Sequence, residues 1–263
     1  MIDLHCHILP GIDDGAETME ESLEMCRIAA SDGIRTVFAT PHVKEAVYEN
    51  DEKSVMPVFM KLKKAVEDEG IGLSVELAAE IHISSTLIHF LHHNRAFLIG
   101  GRYFLLELPP ETVPSNMEEL IFDAQIKGFY PIIAHPERNS ILQKNTRLIA
   151  RWIDRGALVQ ATAMSVTGEF GKAPKKAVSE IIEKGLCHIL ATDAHSPKWR
   201  PPILSHARDV LTEMVGKQEA DRMVSGRPME IMKGEMLSDK PLRISAKTKS
   251  FFRRRILTNR GKK

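Results

Sequence analysis

Short apolar runs alternate with longer amphipathic segments along most of this chain, and few architectures accommodate that order. The runs are Ile2–His5, Thr36–Thr40, Leu73–Ala79, Tyr103–Glu107, Tyr130–Ala134, Leu158–Thr162 and His188–Thr192. Each is four to seven residues long, and most are rich in Val, Ile, Leu or Phe, as strands buried on both faces of a parallel sheet require. Between them, Glu17–Ser31, Ser54–Glu69, Ser115–Lys127, Asn145–Arg155 and Pro174–Lys184 carry helical spacing. Each stops at or just before a glycine, namely Gly33, Gly70, Gly128, Gly156 and Gly185. Glycine accepts the left-handed backbone that ends a helix without steric cost. Seven strands alternating with helices predict a (β/α)7 barrel of the TIM-barrel-like kind, with a doubly wound open sheet as the alternative. A chain of 263 residues suffices for one such domain.

Parallel barrels carry their chemistry at the carboxyl ends of their strands. Here those ends read His5-Cys6-His7 followed by Asp13-Asp14-Gly15, then Thr40-Pro41-His42, Glu80, Glu107, His135-Pro136-Glu137-Arg138 and Thr192-Asp193-Ala194-His195. Six of the seven strands end on a His, Asp or Glu, and only the run closing at Thr162 does not. A single histidine or glutamate at such a place is ordinarily a satisfied core residue or a solvated cap. Five histidines and four carboxylates sent to one end of a fold are a different matter, because buried charge is costly unless paired or metal-bound. The set points to a polynuclear site of nitrogen and oxygen ligands, which suits Mn²⁺, Fe²⁺ or Zn²⁺. Nine side chains exceed the roughly four ligands of one zinc ion, so two or three ions are expected.

Taken in order, HCHILPGIDDG, TPH, AAE, LLELPP, HPER and ATDAH resemble the PHP (polymerase and histidinol phosphatase) superfamily. More narrowly they resemble the manganese-dependent bacterial protein-tyrosine phosphatases of capsule and exopolysaccharide operons. The resemblance covers roughly residues 1–235. It implies a distorted barrel with three metal positions, Mn²⁺ being the expected ion. His5, His7, Glu80 and Asp193 would hold the first. Glu80 would bridge to a second that Glu107 and His135 also hold, and Asp14, His42 and His195 would hold the third. Asp14 is preferred to Asp13 because it directly precedes the glycine of its motif. Arg138 and Arg200 would bind phosphate. The implied substrate is phosphotyrosine on the tail of a cognate bacterial tyrosine kinase. A small-molecule phosphatase acting on a compound such as histidinol phosphate is the alternative. A structural reading of Arg138 is a salt bridge to Glu137.

The chemistry agrees with that resemblance. Phosphoryl transfer spreads charge over the phosphate oxygens, and metals and arginines stabilise it with little covalent help. Cys6, Cys26 and Cys187 are the only cysteines, and none sits six residues before an arginine, so no cysteine-based phosphatase loop is present. Their number and spacing imply no disulfide framework. Cys6 is expected to point away from the two histidines beside it, since side chains alternate along a strand.

Charge divides the chain unevenly. Residues 240–263 hold ten of its 36 Lys and Arg and none of its 35 Asp and Glu, which leaves residues 1–239 at −9. The phosphoesterase domain is thus expected over 1–239, followed by a basic tail. Ser250-Phe251-Phe252-Arg253-Arg254-Arg255-Ile256-Leu257 mixes basic and apolar residues, which suits either a solvated tail or docking on an anionic membrane surface. No aromatic platform supports specific nucleic-acid binding. No apolar run approaches the ~20 residues of a bilayer span. The N-terminus lacks the pattern of a signal peptide, so a cytoplasmic protein is expected, with the tail able to hold it at the inner face of the membrane. Met19, Leu23, Met25 and Cys26 on the first helix suit the core, with a homo-oligomer contact as the alternative.

Overall fold

In the computed structural model, which describes residues 1–243, every run read as a strand forms one. The elements run β1 (Ile2–Cys6), α1 (Met19–Ser31), β2 (Thr36–Ala39), β3 (His42–Val43), α2 (Glu52–Asp68), β4 (Ser74–Leu77), β5 (Glu80–His82), α3 (Leu87–His93), β6 (Tyr103–Glu107), α4 (Met117–Ile126), β7 (Tyr130–Ala134), α5 (Thr146–Asp154), β8 (Leu158–Thr162), α6 (Ala163–Thr167), α7 (Lys172–Glu183), β9 (Ile189–Ala191), α8 (Ser205–Val215), α9 (Lys217–Asp221) and α10 (Arg227–Met232). Pro136–Arg138 forms a 3₁₀ turn directly after β7.

The strands number nine among the described residues rather than seven. Two of the expected runs are followed by a break and a short second strand. The first break falls at Thr40-Pro41, where proline has no N–H to give to a ladder. The second falls at Ala78-Ala79. All pairings between strands are parallel. One sheet has the order β1-β2-β4 and the other β3-β5-β6-β7-β8-β9. A parallel bridge between Cys6 and Ala194 links the end of β1 to the residues after β9, with hydrogen bonds from Asp193 N to His5 O (2.8 Å) and from His7 N to Ala194 O (2.8 Å). Fully buried Asp3 reinforces the junction by accepting from Thr192 N and Oγ1 at 3.0 and 2.5 Å, and burial raises its pKa to about 6.

The helices pack apolar faces on these sheets. Leu23, Met25 and Cys26 of α1 are buried and Met19 packs against the same core, so this stripe serves the core. The five helix-ending glycines all adopt positive φ, from 65° to 93°. α1 opens at Thr18, whose side chain caps Glu21 N, and α2 opens at Asp51 with a capping box to Ser54. Cys6 is fully buried among the apolar residues, turned away from its neighbours as its place in a strand requires. No helix among the described residues is long and apolar enough to cross a membrane. The Ser250–Leu257 segment of the basic tail lies outside the described residues.

Candidate metal centre

The carboxyl ends of the strands bring eight of the nine expected ligands into three overlapping groups of donor atoms. These are His5, His7, Glu80 and Asp193; His7, Asp14, His42 and His195; and His42, Glu80 and Glu107. In each group the donors lie within 4.8 Å of one another. Sheet register explains part of this. His42 and Glu80 are cross-strand partners in the β3–β5 pair, and His82 of β5 is opposite Glu107 of β6. Glu80 is therefore not a residue just beyond a strand but the first of a new one.

The first group has the spacing of a coordination shell. His5 Nε2 is 3.2 Å from His7 Nε2 and 3.2 Å from Glu80 Oε2, and His7 Nε2 is 3.3 Å from the same oxygen. Asp193 Oδ1 stands 3.6 Å from both imidazole nitrogens. Four donors set tetrahedrally about 2.1 Å from a shared centre lie about 3.4 Å apart. In the second group Asp14 Oδ1 is 3.4 Å from His42 Nε2 and 3.6 Å from His195 Nε2. In the third, His42 Nδ1 is 3.1 Å from Glu80 Oε2 and 3.8 Å from Glu107 Oε2.

The outer atoms fix the tautomers that ligation needs. Gln160 Nε2 donates to Ala161 O, which leaves its Oε1 to accept from His5 Nδ1 at 3.0 Å. His7 Nδ1 donates to Asp13 Oδ2 at 2.7 Å, and His195 Nδ1 donates to Asp193 O at 3.0 Å. Each Nε2 is left with a lone pair facing the cluster, the arrangement metal-binding histidines use. Asp13 is thus a support and Asp14 the oxygen that reaches the cluster. Asp13 also accepts from His42 N and Gly15 N; burial would raise its pKa, but His7 and then these two contacts outweigh it and lower it. Gly15 is required there: a Cβ would lie 2.1 Å from His7 O.

The cluster is electrostatically incomplete on its own. His42 Nδ1, Glu80 Oε2 and Glu107 Oε2 are buried without a hydrogen-bond partner, as is Arg200 Nε. Unsatisfied buried polar atoms are rare in folded proteins, and three of these belong to one group of donors. Burial would raise Glu80, yet His5 and His135 outweigh it and hold the carboxyl well below its usual range. Burial and the nearby Glu80 charge raise Glu107 to about 6. Burial and the His7 charge lower His42 to about 4 and His195 to about 2. Burial opposes the charge on His7, but Asp13 and Glu80 win and raise it well above the ordinary value. The residues fit divalent cations.

His135 stands at the edge of the third group, in contact with its expected partner Glu80. Its Nε2 bonds Glu80 Oε1 at 2.7 Å, and His42 takes the place beside Glu80 and Glu107. His135 and Asp193 both hold left-handed backbone, with φ of 30° and 53°. Strain of this kind concentrates at functional sites.

Both expected phosphate-binding arginines reach the same place. Arg138 Nη1 and Arg200 Nη2 contact Asp193 Oδ2 at 2.6 and 2.7 Å. The alternative pairing of Arg138 with Glu137 does not form. Glu137 is fully buried, and its Oε1 accepts from Thr162 N at 2.9 Å. The clusters open into a cavity of about 460 Å³ whose walls include Asp14, Glu107, Arg138 and Arg200 on one hand and Val47, Tyr48, Leu108 and Pro110 on the other. A more open cleft of about 710 Å³ lies by α2 and α3, where no group of ligating atoms converges among the described residues. All three thiols are buried and raised, Cys26 to about 12, with burial the leading cause in each. None is a nucleophile. Sequence reasoning missed Asp3, Gln160 and Tyr48; Tyr48 stacks on the His42 ring with centroids 5.6 Å apart. Only tertiary contact distinguishes them.

Known proteins share this frame. Residues 1–233 match the family described as Capsular polysaccharide synthesis, CpsB/CapC. The chain is 39% identical over 219 residues to tyrosine-protein phosphatase YwqE of Bacillus subtilis, covering 83% of this chain and 86% of that one. A solved structure of YwqE from Bacillus subtilis and CpsB from Streptococcus pneumoniae, described as metal-dependent tyrosine phosphatases, superposes with a TM-score of 0.85 at 35% identity over 93% of this chain and 99% of that one. A β-aspartyl dipeptidase from Fervidobacterium islandicum AW-1 shares the fold at a TM-score of 0.58 and 17% identity, covering 92% of this chain and 75% of that one.

Proposed function

From the premise that the chain belongs to the CpsB/CapC family of capsular polysaccharide synthesis, we propose that it is a metal-dependent protein-tyrosine phosphatase. The two parallel sheets are read as the parts of one distorted (β/α)7 barrel of PHP type. The observation that carries the activity is the convergence of the three donor groups with two arginines on Asp193. His5, His7, Glu80 and Asp193 would hold one ion, Asp14, His42 and His195 a second, and Glu80, Glu107 and His135 a third, Mn²⁺ being the ion proposed. When bound, such ions neutralise phosphate charge and lower the pKa of water.

The chain's own residues do the rest. Arg138 and Arg200 line the cavity and bind the phosphate dianion through N–H pairs, which suit its oxygens better than a lysine point charge does. Asp13 and Gln160 keep the Nδ1 protons of His7 and His5 in place, so each ring is oriented before substrate arrives. Val47, Tyr48, Leu108 and Pro110 give the cavity an apolar wall against which a tyrosine ring fits. A phenol has a pKa near 10, so tyrosine leaves as a better group than an alkyl alcohol and asks less of a general acid. The tail of a cognate tyrosine kinase is the substrate proposed.

Hydrolysis of a phosphotyrosine peptide and of histidinol phosphate, side by side, by metal-stripped protein with and without added Mn²⁺ tests this reading. Mn²⁺-dependent phosphate release from the peptide and little from histidinol phosphate is expected. Release from histidinol phosphate alone would keep the metal site and overturn the substrate.

A further inference from the structure

One strand end supplies no acid or imidazole to the cluster. β8 closes on Thr162, and the chain continues through the short helix α6 into a turn at 168–171. Gly168 and Gly171 take φ of 106° and 92°, and Gly171 N donates to Gly168 O at 3.0 Å. Side-chained residues rarely hold such angles. The turn therefore has a set shape, and what it presents to the site is Phe170.

The Phe170 ring centroid lies 5.0 Å from the Arg138 guanidinium carbon and 5.4 Å from that of Arg200. Two like charges thus converge on one aromatic ring while sharing Asp193 Oδ2. Arg138 is 36% exposed, so a long flexible side chain is held at a cavity wall that solvent reaches. A second carboxylate could hold the pair, but it would occupy the N–H donors and cancel the charge that a phosphate needs. An aromatic face attracts both cations through its quadrupole and leaves those donors free. Phe170 itself is half-buried and does not line the cavity.

We infer that Phe170 is a positioning residue that holds Arg138 and Arg200 together, aimed into the cavity, as a preformed receptor for a phosphate dianion. This rests on the reading that the two arginines bind phosphate. Phe170 lies outside the donor groups and the cavity lining, so its loss should act on phosphate affinity and on the arginines themselves.

The test compares Phe170→Ala, Phe170→Leu and Phe170→Trp with Arg138→Ala as reference, in full-length protein. Three readouts are taken: inhibition of the Mn²⁺-loaded enzyme by inorganic phosphate, kcat and KM on a phosphotyrosine peptide, and the rate at which phenylglyoxal modifies Arg138 and Arg200 in metal-free protein, mapped by mass spectrometry. For Phe170→Ala, the phosphate inhibition constant and KM should rise about five- to tenfold. kcat should change less than twofold, metal content should stay the same, and both arginines should be modified faster. Phe170→Trp should match the wild type, while Phe170→Leu should resemble Phe170→Ala. Should Phe170→Ala fail to fold, the Leu and Trp variants decide alone. Equal phosphate affinity and labelling in those two would overturn the inference, as would wild-type values in Phe170→Ala. If Arg138→Ala weakens phosphate and the Phe170 variants do not, the inference fails while the phosphate reading stands. If Arg138→Ala leaves phosphate inhibition unchanged, the phosphate reading itself fails.

Discussion

Buried charge is handled in two opposite ways in this molecule. Beside the amino end of β9, fully buried Arg227 donates to His188 O at 3.2 Å, to Glu219 Oε2 at 3.0 Å and to Asp239 Oδ1 at 3.0 Å. That guanidinium has carbonyl and carboxylate partners on several sides. At the carboxyl ends of the strands, histidines and carboxylates crowd together with His42 Nδ1, Glu80 Oε2 and Glu107 Oε2 left without partners. The first arrangement is closed by its own residues and serves structure. The second is open, and its spare donors all face the same small volume. Burial of charge alone does not mark a site; several unpaired ligating atoms converging on one volume do.

Substitutions should separate the two centres. Asp193→Asn removes the charge that the first donor group shares with both arginines. It should lower kcat/KM on a phosphotyrosine peptide by something on the order of 10³-fold, with the fold retained by circular dichroism. An unchanged rate would remove Asp193 from the site. Arg227→Met should do the converse. It takes the guanidinium from Glu219 and leaves Asp239 to Arg222 alone, and should cost about 3 kcal/mol of stability, read by denaturant unfolding. Activity per folded molecule should hold, and a selective loss of kcat would break the distinction.

Asp13→Asn tests the supporting layer. His7 loses the carboxylate that fixes its tautomer, so metal affinity should fall about 10–100-fold, measured by calorimetric titration with Mn²⁺. Acid provides the mildest contrast. Carboxylates raise His7 and His135 despite their burial, which favours the protonated rings and sets protons in competition with an ion at the cluster. Metal affinity should rise between pH 6 and 8 by up to about tenfold per pH unit for each proton released. Asp239 is lowered, because Arg222 and Arg227 outweigh its burial. Its contribution to stability is present above the usual carboxylate pKa and is lost only as pH falls through the lowered value. Asp239 should therefore not respond in the window that moves the site.

Much of this was legible in the residues because strands, helix stops and ligand types are local. The seven apolar runs and the five terminating glycines depend on a few neighbouring side chains, and all took the expected form. The placement of ligands at strand ends followed from one rule about parallel sheets. What was not legible depends on register and tertiary contact. Glu80 meets His42 because β3 pairs with β5, strands of two and three residues that no periodicity announces. α9 and α10 were not legible because each is short and Gly226 and Pro228 interrupt their pattern. Arg227 looks like any surface arginine until Glu219 and Asp239 fold over it. Phe170 was hidden for a related reason: a lone aromatic in a glycine-bracketed turn reads as a loop residue, and only the convergence of two arginines gives it meaning.

Anomalous X-ray diffraction from crystals of the full-length protein equilibrated with Mn²⁺ tests the central claim most directly. Peaks within ligating distance of the His5–His7–Glu80–Asp193, Asp14–His42–His195 and Glu80–Glu107–His135 donors are predicted, with Asp13 beyond ligating distance of each ion. Absence of any peak among these residues, or manganese bound only in the cleft by α2 and α3, would contradict the account.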